Sequence, residues 1–192
     1  MEREDFESLI LKVTEKAETM RIKMNKNKAL EHKKHKNRKL PWSELEATFK
    51  AMLYHQFLKH RVNYSNISLE NSPDAKDNKK IKSYKVDMWI KDHEFTYLLE
   101  VKMINVRKTS GNLQRVYNKG GLCKDLVKLN EILDYFGDTK AMGIAIAVYN
   151  GHDDKMDCKN IKDKLNDEIN EKLNRHVKLI VCANGKCEYV KN

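Results

Sequence analysis

Apolar residues at Phe6, Leu9, Ile10, Val13, Ala17, Met20 and Met24 recur at three- and four-residue intervals. That narrow stripe predicts a helix over 3–24. Residues 25–40 then turn polar and basic, with EHKKHKNRK at 31–39. No core face can be drawn through them, so they read as a solvated helix end or linker, with a phosphate-binding arm as the functional alternative. Pro41-Trp42-Ser43 opens a second helix. Ser43 and Glu46 have capping-box spacing, and Leu45, Phe49, Met52, Leu53 and Phe57 give the buried face.

The pattern then changes period. Residues 63–70 read as a strand, 71–80 as an exposed loop, and 81–90 with 94–104 as a hairpin of strands. Residues 105–120 are polar and read as irregular, ending in Gly120-Gly121. Leu122, Leu126, Leu129, Leu133 and Phe136 mark a third helix. The stretch AMGIAIAVY at 141–149 is apolar throughout, as in a central strand covered on both faces. An amphipathic helix over 159–175 and a hairpin over 177–190 around Asn184-Gly185 close the chain. This order predicts an α/β fold, a mixed central β-sheet flanked by helices. An N-terminal extension, 1–40, holds the amphipathic helix and basic linker, and one domain spans 41–192.

Candidate chemistry sits on the hairpin. Side chains alternate along a strand, so Leu98, Glu100 and Lys102 share one face and Leu99, Val101 and Met103 the other. A turn at Asp92-His93 places Asp87 opposite Leu98, on the Glu100 face and diagonal to Glu100. Diagonal neighbours lie about 7–8 Å apart, close enough for two carboxylates to converge on one cation. Hard cations such as Mg²⁺ take oxygen ligands, acidify water and neutralise charge on a reacting phosphate. A lysine two residues further on can orient that water or offset the developing charge. The plain alternative is a solvated strand face with a cross-strand ion pair.

With an acidic residue on one strand and Glu100-Val101-Lys102 on the next, the chain resembles the PD-(D/E)XK nuclease superfamily, of restriction-endonuclease-like fold. The αβββαβ core of that family corresponds to about residues 43–149. Val86 stands where the motif's proline is often found. The resemblance implies Mg²⁺ or Mn²⁺ bound by Asp87, Glu100, the Val101 carbonyl and Glu46 from the upstream helix, with Glu44 as the fallback. It implies Lys102 as the residue that activates water, acting on DNA, and a homodimer if both strands are cut. It also offers Lys128, on the helix after the motif, and Gln114, in the preceding segment, as further site residues. For Lys128 the alternative is an ion pair with Asp125 three residues back. A binding or assembly module of the same fold without cleavage, and a nuclease acting on RNA, remain as alternative functions.

The chain has 192 residues, 34% of them charged, and a formal net charge of +10. Such a balance favours polyanions, although lysine-rich genomes give basic surfaces without any nucleic-acid partner. Lys33, Lys34, Lys36, Arg38 and Lys39, with Arg107, Lys108, Arg115 and Lys119, are the candidate phosphate contacts. No apolar run approaches the roughly 18 residues that cross a bilayer, and the acidic, amphipathic MEREDFESL is unlike a secretory leader. The expected location is the cytoplasm, with no membrane partner. The four cysteines show no zinc-ligand spacing. Cys182 and Cys187 are expected opposite each other on the last hairpin, as free thiols in a reducing compartment rather than a disulfide.

Overall fold

The computed structural model describes residues 3–32, 42–60, 62–92, 95–109, 112–117, 119–137, 140–149, 157–163, 165, 167–174 and 176–190. Helix α1 (Arg3–His32) and helix α2 (Trp42–Lys59) come first. A 3-10 turn at Tyr64–Asn66 leads into β1 (Ile67–Asn71), a short helix α3 (Lys79–Ser83), β2 (Val86–Asp92) and β3 (Phe95–Thr109). Strand β4 (Asn112–Tyr117), helix α4 (Lys119–Phe136) and strand β5 (Ala141–Tyr149) follow. Two short helices, α5 (Cys158–Lys162) and α6 (Asp167–Asn170), precede β6 (Val177–Ala183) and β7 (Lys186–Tyr189).

Six strands lie in the order β1-β2-β3-β5-β6-β7, and β4 pairs with the far part of β3. Strand β5 runs parallel to both β3 and β6, and the remaining pairings are antiparallel. The fold is therefore the expected mixed sheet between helices. All nine residues of β5 are buried, which is why that strand carries no alternation. Its side chains divide between two cores. Ala145, Ala147 and Tyr149 join Leu98, Leu126 and Leu129 on the α4 side. Ile144, Ile146 and Val148 join Leu99, Val101 and Met103 on the side of α1 and α2. Phe6, Ile10, Val13, Phe49, Leu53 and Phe57 fill that second core, so α1 and α2 pack on one face of the sheet. Gly143 lets α4 lie close on the other, since a Cβ there would stand 3.0 Å from Leu129 Cβ.

Several elements differ from the sequence reading. Residues 105–120 are not irregular: β3 continues to Thr109 and β4 returns beside it, with Val106 opposite Val116. Its apolar residues, Val106, Leu113, Val116 and Tyr117, do not follow a period of two, and the register shifts between Arg107 and Lys108, so the sequence pattern does not reveal the pair. The strand expected over 81–90 begins only at Val86, because Asn78 caps α3 through its side chain, which accepts from Ile81 N–H. The helix expected over 159–175 is two short ones, with Asp157 capping the first and Asp163 ending it. Helix α2 begins at Trp42, so Ser43 lies inside its first turn rather than at the N-cap. Met88 pairs with Leu99 and Asp92 with Phe95, a register shifted by two residues from a turn at Asp92-His93. Phe95, on the same face as Tyr97 and Leu99, packs on the second core. Cys182 and Cys187 are opposite each other as expected, but joined as a disulfide. Residues 33–40, with Lys33, Lys34, Lys36, Arg38 and Lys39, lie outside the described residues.

Candidate active site

A two-residue shift of register preserves the face of every side chain. Asp87, Glu100 and Lys102 therefore remain together, on the side of the sheet that α4 covers. Asp87 lies just past the Met88–Leu99 pair. Its Oδ2 accepts a hydrogen bond from Val101 N–H at 2.8 Å, which ties the carboxylate to the backbone between Glu100 and Lys102. Glu100 is buried, with 4% of its surface exposed.

Two helices bring further charge to this corner. From α2, Lys50 Nζ stands 2.6 Å from Asp87 Oδ1, 3.3 Å from Glu46 Oε1 and 3.5 Å from Glu70 Oε1. From α4, Lys128 Nζ stands 2.6 Å from Glu100 Oε1 and 3.8 Å from Asp125 Oδ1, and donates to the Lys85 carbonyl at 2.8 Å. Lys102 Nζ lies between these helices, 3.8 Å from Glu46 Oε2 and 3.6 Å from Asp125 Oδ2. Each of Asp87, Glu100, Glu46 and Asp125 thus has an ammonium group within 3.8 Å.

The crowding shifts proton affinities. Burial, then the nearby Asp87 carboxylate, pushes Glu100 up to about 8, against the pull of Lys128. Burial also raises Asp125, with Lys102 and Lys128 opposing it. Burial lowers Lys50, but the Asp87 carboxylate bonded to it outweighs that and holds the ammonium above its ordinary range.

Asp87, Glu100, Glu46 and Lys102, the motif residues the resemblance singled out, thus come together at one corner. Lys128 reaches it too, closing on Glu100 rather than only on Asp125. Gln114 falls on β4, and Arg107, Lys108, Arg115 and Lys119 fall on β3, β4 and the start of α4. The side chains of those five and of Glu44 lie outside the described residues. Two members were missed, Lys50 and Asp125. Their available signals were the Glu46–Lys50 and Asp125–Lys128 spacings, which on a helix also describe ordinary surface ion pairs.

A divalent cation would meet a hard-oxygen donor set here. Glu100 Oε1 and Asp125 Oδ2 are buried without a well-formed hydrogen bond, and Asp87 disfavours the ionised form of Glu100. A cation held by Glu100 and Asp87 would give the buried Glu100 oxygen a further partner and offset the repulsion from Asp87, so these residues fit one. As the side chains stand, no three described His, Cys, Asp or Glu residues group tightly enough to hold an ion. Lys50 and Lys128 stand against the oxygens that would do so.

No protein-family model matches the chain. No curated protein matches it either. Among solved structures it is similar to SfsA of Pyrococcus furiosus in complex with Ca²⁺, at a TM-score of 0.34 and 10% identity, over 76% of this chain and 63% of that one. The reading of the site rests on its own geometry. Among the described residues, no helix is long and apolar enough to cross a membrane.

Proposed function

We propose that the chain is a metal-dependent nuclease that hydrolyses phosphodiester bonds in DNA. The observation that carries this reading is the shared corner of Asp87 and Glu100, two carboxylates close enough that one raises the proton affinity of the other, with Lys102 two residues along the same strand. Asp87, Glu100, Glu46 and the Val101 carbonyl would hold Mg²⁺ or Mn²⁺. When bound, the ion would supply Lewis acidity toward the phosphate and a positive charge to offset the developing negative one.

The protein's own groups do the rest. The bond from Val101 N–H fixes the Asp87 carboxylate to a rigid strand. Glu100 is buried and keeps its proton in the metal-free protein; ionised against a bound cation, its charge would act more strongly than in water. Lys102, placed between Glu46 and Asp125, orients the attacking water and stabilises the negative charge that develops on the phosphate oxygens. Lys128 anchors Glu100 from α4. A second copy of the chain supplies the second cut in a duplex.

A second reading, a nucleic-acid-binding or assembly module without cleavage, is favoured by the three ammonium groups, of Lys50, Lys102 and Lys128, that already stand against these four acids. Incubating the purified chain with labelled single-stranded, double-stranded and branched DNA and with RNA separates these readings. Mg²⁺, Mn²⁺ and EDTA arms complete the assay. Cleavage of DNA that needs the metal and stops in EDTA is expected. Binding without cleavage in every metal arm favours the module, and cleavage confined to RNA redirects the substrate.

A further inference from the structure

Strand β1 pairs with β2 through Leu69 with Met88 and Asn71 with Val86, which sets Glu70 opposite Asp87 in register. Like charges opposed across a sheet repel. Glu70 also has a backbone φ of +49°, in the left-handed region that non-glycine residues rarely adopt. Lys50 resolves the opposition. Its Nζ meets Asp87 at 2.6 Å while remaining 3.5 Å from Glu70 and 3.3 Å from Glu46. Lys128 differs, because a backbone carbonyl holds its ammonium as well as Glu100 does. The described contacts of Lys50 Nζ are all carboxylates, and its flexible stem can move among them.

We propose that Lys50 is an exchangeable counter-ion of this corner: its ammonium occupies Asp87 in the metal-free protein, and a divalent cation binds by displacing it toward Glu46 and Glu70. The inference rests on the reading of Asp87 as a metal ligand. Lys50 then does two things. It keeps two opposed acids compatible with the fold before metal arrives. It also sets metal affinity, since every ion bound must break the Lys50–Asp87 pair. Glu70 acts as the receiving acid, exposed enough to follow the ammonium outward, with 59% of its side chain accessible.

Mn²⁺ binding to the purified full chain, read from the electron paramagnetic resonance of free Mn²⁺, tests this without any measurement of cleavage. Lys50→Met should bind Mn²⁺ at least about tenfold more tightly, because a charge-assisted hydrogen bond no longer competes. Glu70→Gln, on an exposed side chain, should bind about 1.5- to 5-fold more weakly, as expected for loss of an exposed pair on the receiving side. Lys85→Met removes the same charge from an exposed side chain two residues before Asp87, and screening should hold its effect within about twofold. Unchanged or weaker binding by folded Lys50→Met, or equal tightening by Lys85→Met, overturns the exchange. If Lys50→Met does not fold, unchanged or tighter binding by Glu70→Gln overturns it instead. Failure of the wild-type chain and all variants to bind Mn²⁺ overturns the reading of Asp87 as a ligand, and the exchange with it.

Discussion

Lys128 Nζ lies 2.6 Å from Glu100 Oε1, joining α4 to the middle of β3. The next residue on α4, Leu129, rests on Gly143 of β5, where an added Cβ would stand 3.0 Å from Leu129 Cβ. The depth at which α4 packs therefore sets how far Lys128 reaches into the corner. Gly143→Ala should lift α4 and cost about 1–3 kcal/mol, the usual range for overpacking. Urea denaturation of the two proteins checks the loss.

Metal-free stability should fall with rising pH. Folded Glu100 holds its proton up to about 8, against an ordinary value of 4.5. Between these values the folded state binds more protons than the unfolded state, so stability present at the acid end is lost toward the upper end. The raised Asp125 and Glu18 act in the same direction. Denaturation midpoints in EDTA, taken from about pH 5 to about pH 8, should decline. Glu100→Gln should flatten that slope, and an unchanged slope would count against the assignment.

A second buried charge pair holds α1 to the sheet. Arg21 donates to both Glu18 oxygens, at 2.6 and 2.8 Å, and to the Tyr149 carbonyl at the end of β5 at 3.0 Å. Glu18 is fully buried and Arg21 is 5% exposed. Glu18→Ala leaves a guanidinium unpaired inside the protein and should cost about 3–5 kcal/mol. The double change Glu18→Leu with Arg21→Met should recover much of that loss. Thermal denaturation of the three proteins decides it.

The shared face of Asp87, Glu100 and Lys102 was legible because strand alternation depends only on parity. The true register differs by two residues, and parity survived. Helix faces are less informative. The sequence places Lys50 one turn after Glu46, and Asp125 one turn before Lys128, but does not say that both turns meet the same sheet corner. Strand β4 was hidden because its apolar residues, Leu113, Val116 and Tyr117, keep no period of two and stand among polar residues that a loop would also carry. For Cys182 and Cys187 the register was readable from Asn184-Gly185. Their bonding was not, since it was inferred from the expected compartment.

Affinity for DNA should be strongly dependent on salt. The net charge of +10 should draw several phosphates into contact, and each neutralised phosphate releases condensed counterions. Fluorescence anisotropy with labelled DNA should therefore show affinity falling steeply between about 50 and about 200 mM salt. A flat profile removes nucleic acid from the account.

The most direct test compares Lys102→Ala with wild type for DNA cleavage and Mn²⁺ binding on the same preparations. Lys102 is no metal ligand in this account, and its ammonium stands 3.6 Å from Asp125 and 3.8 Å from Glu46. Its removal should leave Mn²⁺ binding intact or tighter while cleavage falls about 10²–10³-fold, as for loss of one transition-state charge contact. Asp87→Ala, by contrast, should weaken both. Wild-type cleavage by folded Lys102→Ala would contradict the assignment of this corner as the active site.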